Sequence, residues 1–118
     1  MAENLDWGKK GEELAAKYLQ GLGIRILARN WRCPLGEIDL VCQDGDCLVV
    51  AEVKTKHGLG YGEPEEMVNW RKQNRLSKLA QVYPSRLSSR RIDVVAIVLD
   101  RAGNLVRLSH YPNALDSL

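Results

Sequence analysis

The sequence predicts an α/β protein built as a central mixed β-sheet flanked by helices. Three observations carry that reading. Two segments repeat their apolar residues at helical spacing while the rest alternate or run apolar for strand lengths, and the order is helix, strands, helix, strands. The run Val94-Val-Ala-Ile-Val98 has the continuous apolar character of a strand buried on both faces. It follows a helical crossover, which makes it parallel to a neighbouring strand.

From Asp6 to Leu22, Trp7, Leu14, Ala15, Tyr18 and Leu22 recur at helical spacing, with Asp6 as N-cap and Gly21 or Gly23 as the stop. Ile24 to Trp31 alternates apolar with basic or polar residues and reads as a strand, broken by Cys33-Pro34-Leu35-Gly36. Glu37 to Gln43 and Cys47 to Thr55 form two strands around Asp44-Gly45-Asp46. A two-residue Gly45-Asp46 loop pairs Asp44 with Cys47, and the same register then sets Asp39 opposite Glu52, whereas a three-residue loop without a bulge would put them on opposite faces. His57 to Pro64 is a glycine-rich connection. A second helix follows, with Pro64 near its first turn and Glu65 and Glu66 at its positive end, and it runs to about Tyr83. Ser85 to Arg91 reads as a linker, Ile92 to Leu99 as the buried strand, and Asp100 to Asn104 as the turn into a strand from Leu105 to Ser109. Residues 110–118 are expected to be a loosely attached tail of a single domain spanning residues 1–118.

Composition narrows the class. Hydrophobic residues at 45% and charged residues at 27% describe a globular chain and exclude disorder and fibres. No apolar run approaches the ~20 residues that cross a bilayer, and the polar start of the chain has no signal-peptide pattern. A cytoplasmic location is therefore expected. Cys33, Cys42 and Cys47 lack the paired spacings of zinc sites and read as free thiols. A net charge of +2 is too small to argue for nucleic-acid binding by itself, so the distribution of charge has to carry that argument.

Chemistry concentrates in the central hairpin. Glu52 and Lys54 alternate onto one face of a strand whose preceding residues, Leu48 to Ala51, are apolar. Charges there need a partner or a metal. Asp39, Glu52 and the Val53 carbonyl fit the oxygen ligands that Mg2+ prefers. Lys54 can steady an attacking water and the negative charge that grows on a phosphate; the alternative is a surface Glu52–Lys54 ion pair of little energetic value. Glu12 lies at the border of the first helix's apolar stripe, where a carboxylate can reach a sheet edge, and Gly8 and Gly11 permit a close approach. Lys72 interrupts the apolar stripe of the second helix, to contact phosphate or to extend into solvent. Arg71, Arg75 and Lys78 cluster on the other face, joined in sequence by Arg86, Arg90 and Arg91, as a surface that follows a DNA backbone or is merely solvated. Asp93 reads as a structural partner of a nearby arginine, and His57 and His110 receive no catalytic role.

Taken together, Gly36-Glu-Ile-Asp39, Glu52-Val-Lys54 and Arg91-Ile-Asp-Val94, with Gly8, Gly11-Glu12, Arg29-Asn-Trp-Arg32, Gly62, Pro64 and Lys72 through Ala80, resemble the YraN-type family of small bacterial endonuclease-like proteins. That family is similar to Holliday-junction resolvases within the PD-(D/E)XK nuclease superfamily. The resemblance implies a restriction-endonuclease-like core, Asp39 and Glu52 holding Mg2+ or Mn2+, a catalytic Lys54 and Glu12 joining the metal site. The first function to be weighed is a metal-dependent endonuclease selective for branched or otherwise structured DNA, acting as a homodimer if it makes two cuts in branched or duplex DNA. The other function to be weighed is a catalytically silent module that binds nucleic acid or scaffolds proteins.

Overall fold

A computed structural model describes residues 6–58 and 70–114, with the side chains of residues 70–73 left out. Its elements are α1 (Trp7–Gly21), β1 (Arg25–Cys33), β2 (Gly36–Asp44), β3 (Cys47–His57), α2 (Trp70–Val82), β4 (Ser89–Leu99) and β5 (Leu105–Tyr111). One five-stranded sheet runs in the order β1-β2-β3-β4-β5. Only β3 and β4 pair in parallel, and the crossover that joins them contains α2. This is the expected mixed sheet between helices, and its architecture matches a restriction-endonuclease-like core.

Each helix covers one core. Ala15, Ala16 and Leu19 of α1 pack with Leu40, Cys42, Val49, Ala51, Val53, Val95 and Ile97. Leu76, Leu79 and Ala80 of α2 pack with Ile38, Val41, Leu48, Val50 and Ile92 on the opposite side. Asp6 caps α1 by accepting the Lys9 amide at 3.0 Å. The helix closes at Leu22, with Gly23 taking the left-handed conformation that follows many helix ends (φ 86). Its buried line is Gly11, Ala15, Ala16 and Leu19 rather than the expected stripe through Trp7 and Leu22. Leu22 is exposed because it is the cap.

The expected start of the second helix at Pro64, with Glu65 and Glu66, lies outside the described residues, as does most of the glycine-rich connection. Two other expectations need correction. The linker ends earlier than predicted, because Ser89 already pairs with Cys47. Residues 110–114 are not loosely attached: His110 and Tyr111 complete β5, the Asn113 amide donates to Asp93, and the Ala114 amide donates to the Ile92 carbonyl at 2.7 Å. The anchor, Asp93, stands on another strand, so nothing local to the segment announces it.

Candidate metal centre

The β2–β3 hairpin sets the site. Asp44 pairs with Cys47 across Gly45-Asp46, and Gly45 alone of the two takes a positive φ (59), as a turn with glycine first requires. The ladder then runs to Leu40 opposite Ala51 and stops, one rung short of Asp39 and Glu52. On its other side β3 stays paired with β4 through His57. Above Ala51 the β2–β3 seam therefore opens into a fork, while β3 itself stays braced.

Asp39 sits in that fork. Its Oδ2 accepts the Val53 amide at 2.8 Å, which satisfies a backbone donor beyond the end of the β2–β3 ladder. The Asp39 carboxyl also hydrogen-bonds to Glu52. Burial above all, then the charge of Glu52 and the hydrogen bond to it, with a smaller push from Glu12 and against the Val53 amide, bring Asp39 up from 3.8 to about 8. Two carboxylates in a shielded fork cannot both be ionised cheaply without a proton or a cation between them.

Lys54 supplies one positive charge beside them. Its Nζ lies 3.2 Å from Glu52 Oε2, with the side chains 12% and 2% exposed respectively. This is a buried pair, not the exposed ion pair weighed as the alternative. Glu12 comes to the same end of the sheet from α1. A Cβ on Gly11 would fall 1.8 Å from Thr55 Oγ1, so the helix can lie this close to β3 only with glycine there. Gly8 has no such role, since a Cβ there would meet only Asp6. The Glu12 carboxylate accepts the Asn30 side-chain amide at 3.0 Å, and Glu37 accepts the same amide at 2.9 Å. Among the described residues no group of three or more His, Cys, Asp or Glu side chains converges as a ready metal cluster. Asp39 and Glu52 are together, and Glu12 stands apart on Asn30. A polar hollow of about 460 Å3 beside them is lined by Lys9, Glu12, Asn30, Arg32 and Glu37, among others.

The basic residues divide. Arg75 is exposed, and its stem covers Gly36, three residues before Asp39: a Cβ on Gly36 would meet Arg75 Cδ at 3.0 Å. Lys78 is exposed on the same helix. The side chains of Arg71 and Lys72 lie outside the described residues. Arg90 and Arg91 do not belong to a phosphate-tracking surface. The Arg90 guanidinium donates to the carbonyls of Ala80, Gln81, Tyr83 and Ser85 and so closes the end of α2. Arg91 bonds Asp93 through Nε at 2.9 Å and reaches Asp44 at 3.0 Å. Asp93 thus has the structural role expected, and His110 Nε2 joins it at 2.8 Å. Cys33, Cys42 and Cys47 are all free thiols; Cys42 is buried, which pushes it up to about 12, while Cys33 and Cys47 are only partly covered.

Sequence reasoning missed Asn30 as a site residue. The signal was an asparagine, a residue poor in strands and tolerant of left-handed backbone, in the middle of an otherwise strand-like run.

The fold and the fork together define a class: a mixed α/β domain of restriction-endonuclease type with a carboxylate pair and a lysine at the opened seam. The chain belongs to the uncharacterised protein family UPF0102, whose model matches residues 11–97. It is 53% identical to a UPF0102 protein of Arthrobacter sp. (strain FB24) over 81% of this chain and 85% of that protein. Its identity to a UPF0102 protein of Pelotomaculum thermopropionicum is 47%, covering 91% and 92%. A third relative, from Desulforamulus reducens, is 43% identical over 92% and 93%. Among the described residues no helix is long and apolar enough to cross a membrane.

Proposed function

We propose that this protein is a metal-dependent endonuclease that hydrolyses DNA phosphodiester bonds, with branched or otherwise structured DNA as its substrate class. The observation that carries the reading is the pairing of Asp39 with Glu52 in a shielded fork, with the Lys54 ammonium 3.2 Å from Glu52.

The donor set fits a hard divalent cation. Carboxylate oxygens suit Mg2+ and Mn2+, and Mg2+ sites commonly take one or two carboxylates and leave the other positions to water and phosphate. Asp39 and Glu52, with the Val53 carbonyl, would hold the ion, and Glu12 would join them. When bound, such an ion supplies positive charge to a scissile phosphodiester. Lys54 does the rest of the electrostatic work: its ammonium, fixed by Glu52, can hold an attacking water and balance charge growing on phosphorus-bound oxygens. Arg75 and Lys78, exposed on α2, would bind the DNA backbone, and Arg71 and Lys72 precede them on the same helix. A pair of cuts on a branched substrate needs two copies of a chain with one such site, so a homodimer is the expected working form.

The test is incubation of the full chain with branched, flapped, single-stranded and duplex DNA in Mg2+ or Mn2+. Nicking is expected, reduced at least about 100-fold in Asp39→Asn and Lys54→Ala. Failure to cleave any of these substrates with either metal would overturn the proposal. DNA affinity that survives Asp39→Asn but weakens in Arg75→Glu, without cleavage by any variant, would make the protein a silent binding module instead.

A further inference from the structure

Among the described residues, Asn30 and Asn113 are the only non-glycine residues with positive φ, and Asn30 alone lies inside a strand (φ 50). A left-handed residue in a strand is strained for an L side chain, and asparagine bears it better than most. Such strain persists only where the surroundings enforce it, which makes it a pointer to function.

The consequence can be read from the neighbours. In a regular strand consecutive side chains point to opposite faces. Here Arg29 bonds Glu13 and Asn30 bonds Glu12, so two consecutive strand residues reach two consecutive residues of the same helix. The slip extends along the strands. Ala28 and Trp31, three residues apart, both pack on the α2 side, and across the ladder so do Val41 and Ile38. Both slips straddle one rung, because pairing of Arg29 with Leu40 and Trp31 with Ile38 sets Asn30 opposite Asp39.

We propose that Asn30 is a positioning residue of the metal centre: its left-handed backbone turns its amide out of β1 toward α1, where it holds the Glu12 carboxylate at the same end of the sheet as the Asp39–Glu52 fork, short of those two carboxylates. Asn30 spends both of its amide protons on carboxylates, Glu12 Oε1 at 3.0 Å and Glu37 Oε2 at 2.9 Å. Glu37 also lies 3.8 Å from the exposed Arg32. The helix is located independently, since Gly11 rests on Thr55, the residue after Lys54. Glu12 is thereby fixed along the helix by Gly11 and across the gap by Asn30, with Oε2 outside the bond to Asn30. The inference rests on the metal-centre reading and names the residue that brings in its third carboxylate.

Mn2+ titration of the full chain by calorimetry, with thermal unfolding of the same metal-free samples, tests it. Asn30→Gly keeps the backbone conformation and removes the amide. It should weaken Mn2+ binding about tenfold, as loss of a ligand-orienting partner does, with a metal-free melting temperature near that of the wild type. Glu12→Gln should weaken binding by a similar factor, and the double variant should bind no more weakly than Glu12→Gln alone. Wild-type affinity in Asn30→Gly, a lowered melting temperature with unchanged affinity, or a double variant whose loss is the product of the two single losses would each overturn the role of Asn30 while leaving the metal centre intact. A wild-type chain that takes up no Mn2+ would overturn the metal-centre reading, and the role of Asn30 with it.

Discussion

Asp39 shows how a single side chain converts geometry into pH dependence. In the unfolded chain it loses its proton near 3.8, and in the fork near 8, because burial and Glu52 disfavour its charge. Between those values the folded state binds more protons than the unfolded state, so the sign of the linkage is negative: stability falls as pH rises through this window. The metal-free protein should therefore melt at a lower temperature at pH 8.5 than at pH 5.5, and Asp39→Asn, which has nothing to titrate, should flatten the difference. Mn2+ should restore more stability at pH 8.5 than at 5.5, since it competes with the proton for the same oxygens. Melting curves at the two pH values, with and without Mn2+, check the sign; a wild-type melting temperature that rises across this range would refute it. Asp39, Glu52 and Lys54 are legible in the sequence because charges interrupt apolar strands there. Asn30 is not, because its part depends on a backbone dihedral that side-chain identity permits without demanding.

Elements meet at positions where small and large changes differ sharply in cost. Gly11→Ala adds about 1 kcal/mol of helix propensity. It also drives a methyl into Thr55, and overpacking of this kind costs about 1–3 kcal/mol. Net destabilisation is expected in urea unfolding, partly rescued by Thr55→Ala, which removes the nearest atom, Oγ1, and Cγ2 but leaves Cβ at 2.9 Å. At the end of α2, Arg90 holds four carbonyls. Arg90→Ala should cost about 1.5–3 kcal/mol in the same assay, the range for hydrogen bonds to a charged group, with DNA affinity unaltered. Arg75→Glu should do the reverse, leaving stability nearly unchanged and weakening DNA binding in a salt-dependent way. Fluorescence anisotropy with labelled DNA separates the two. In the sequence both arginines are simply basic residues near one helix; what distinguishes them is whether carbonyls or solvent surround the guanidinium. The hairpin register, by contrast, is legible, because a two-residue turn leaves the pairing no freedom.

At the scale of the whole molecule, the sheet carries its site at one end of the β2–β3 seam and its principal lock on β4. Asp93 is 0% exposed and gathers Arg91 at 2.9 Å, His110 at 2.8 Å and the Asn113 amide at 3.0 Å, while Tyr18 of α1 approaches His110 Nδ1 at 3.3 Å. One carboxylate thus joins β4, β5, the segment after β5 and, through His110, the first helix. The alternation of helices and strands makes the architecture legible. Of the lock only the Arg91 pair is legible, since His110 and Asn113 are 17 and 20 residues away from Asp93 in the chain and are brought near by the β4–β5 hairpin. Removing the charge should have two separable effects. Asp93→Asn leaves the partly covered Arg91, which keeps Asp44, beside a neutral amide, and weakening hydrogen bonds to a charged group costs about 1.5–3 kcal/mol. Global stability should fall by that order in denaturant unfolding, and the amides of β5 and of Asn113 and Ala114 should lose hydrogen-exchange protection ahead of β2 and β3. The fork is braced by β3–β4 pairing that does not pass through Asp93 (Glu52 beside Val94, Lys54 beside Ala96). Mn2+ affinity of the folded Asp93→Asn protein at low temperature should therefore stay within about threefold of wild type, a difference of about 0.65 kcal/mol. A variant that keeps its stability would show that the lock contributes little; one that folds but loses Mn2+ would show that lock and site are a single cooperative unit.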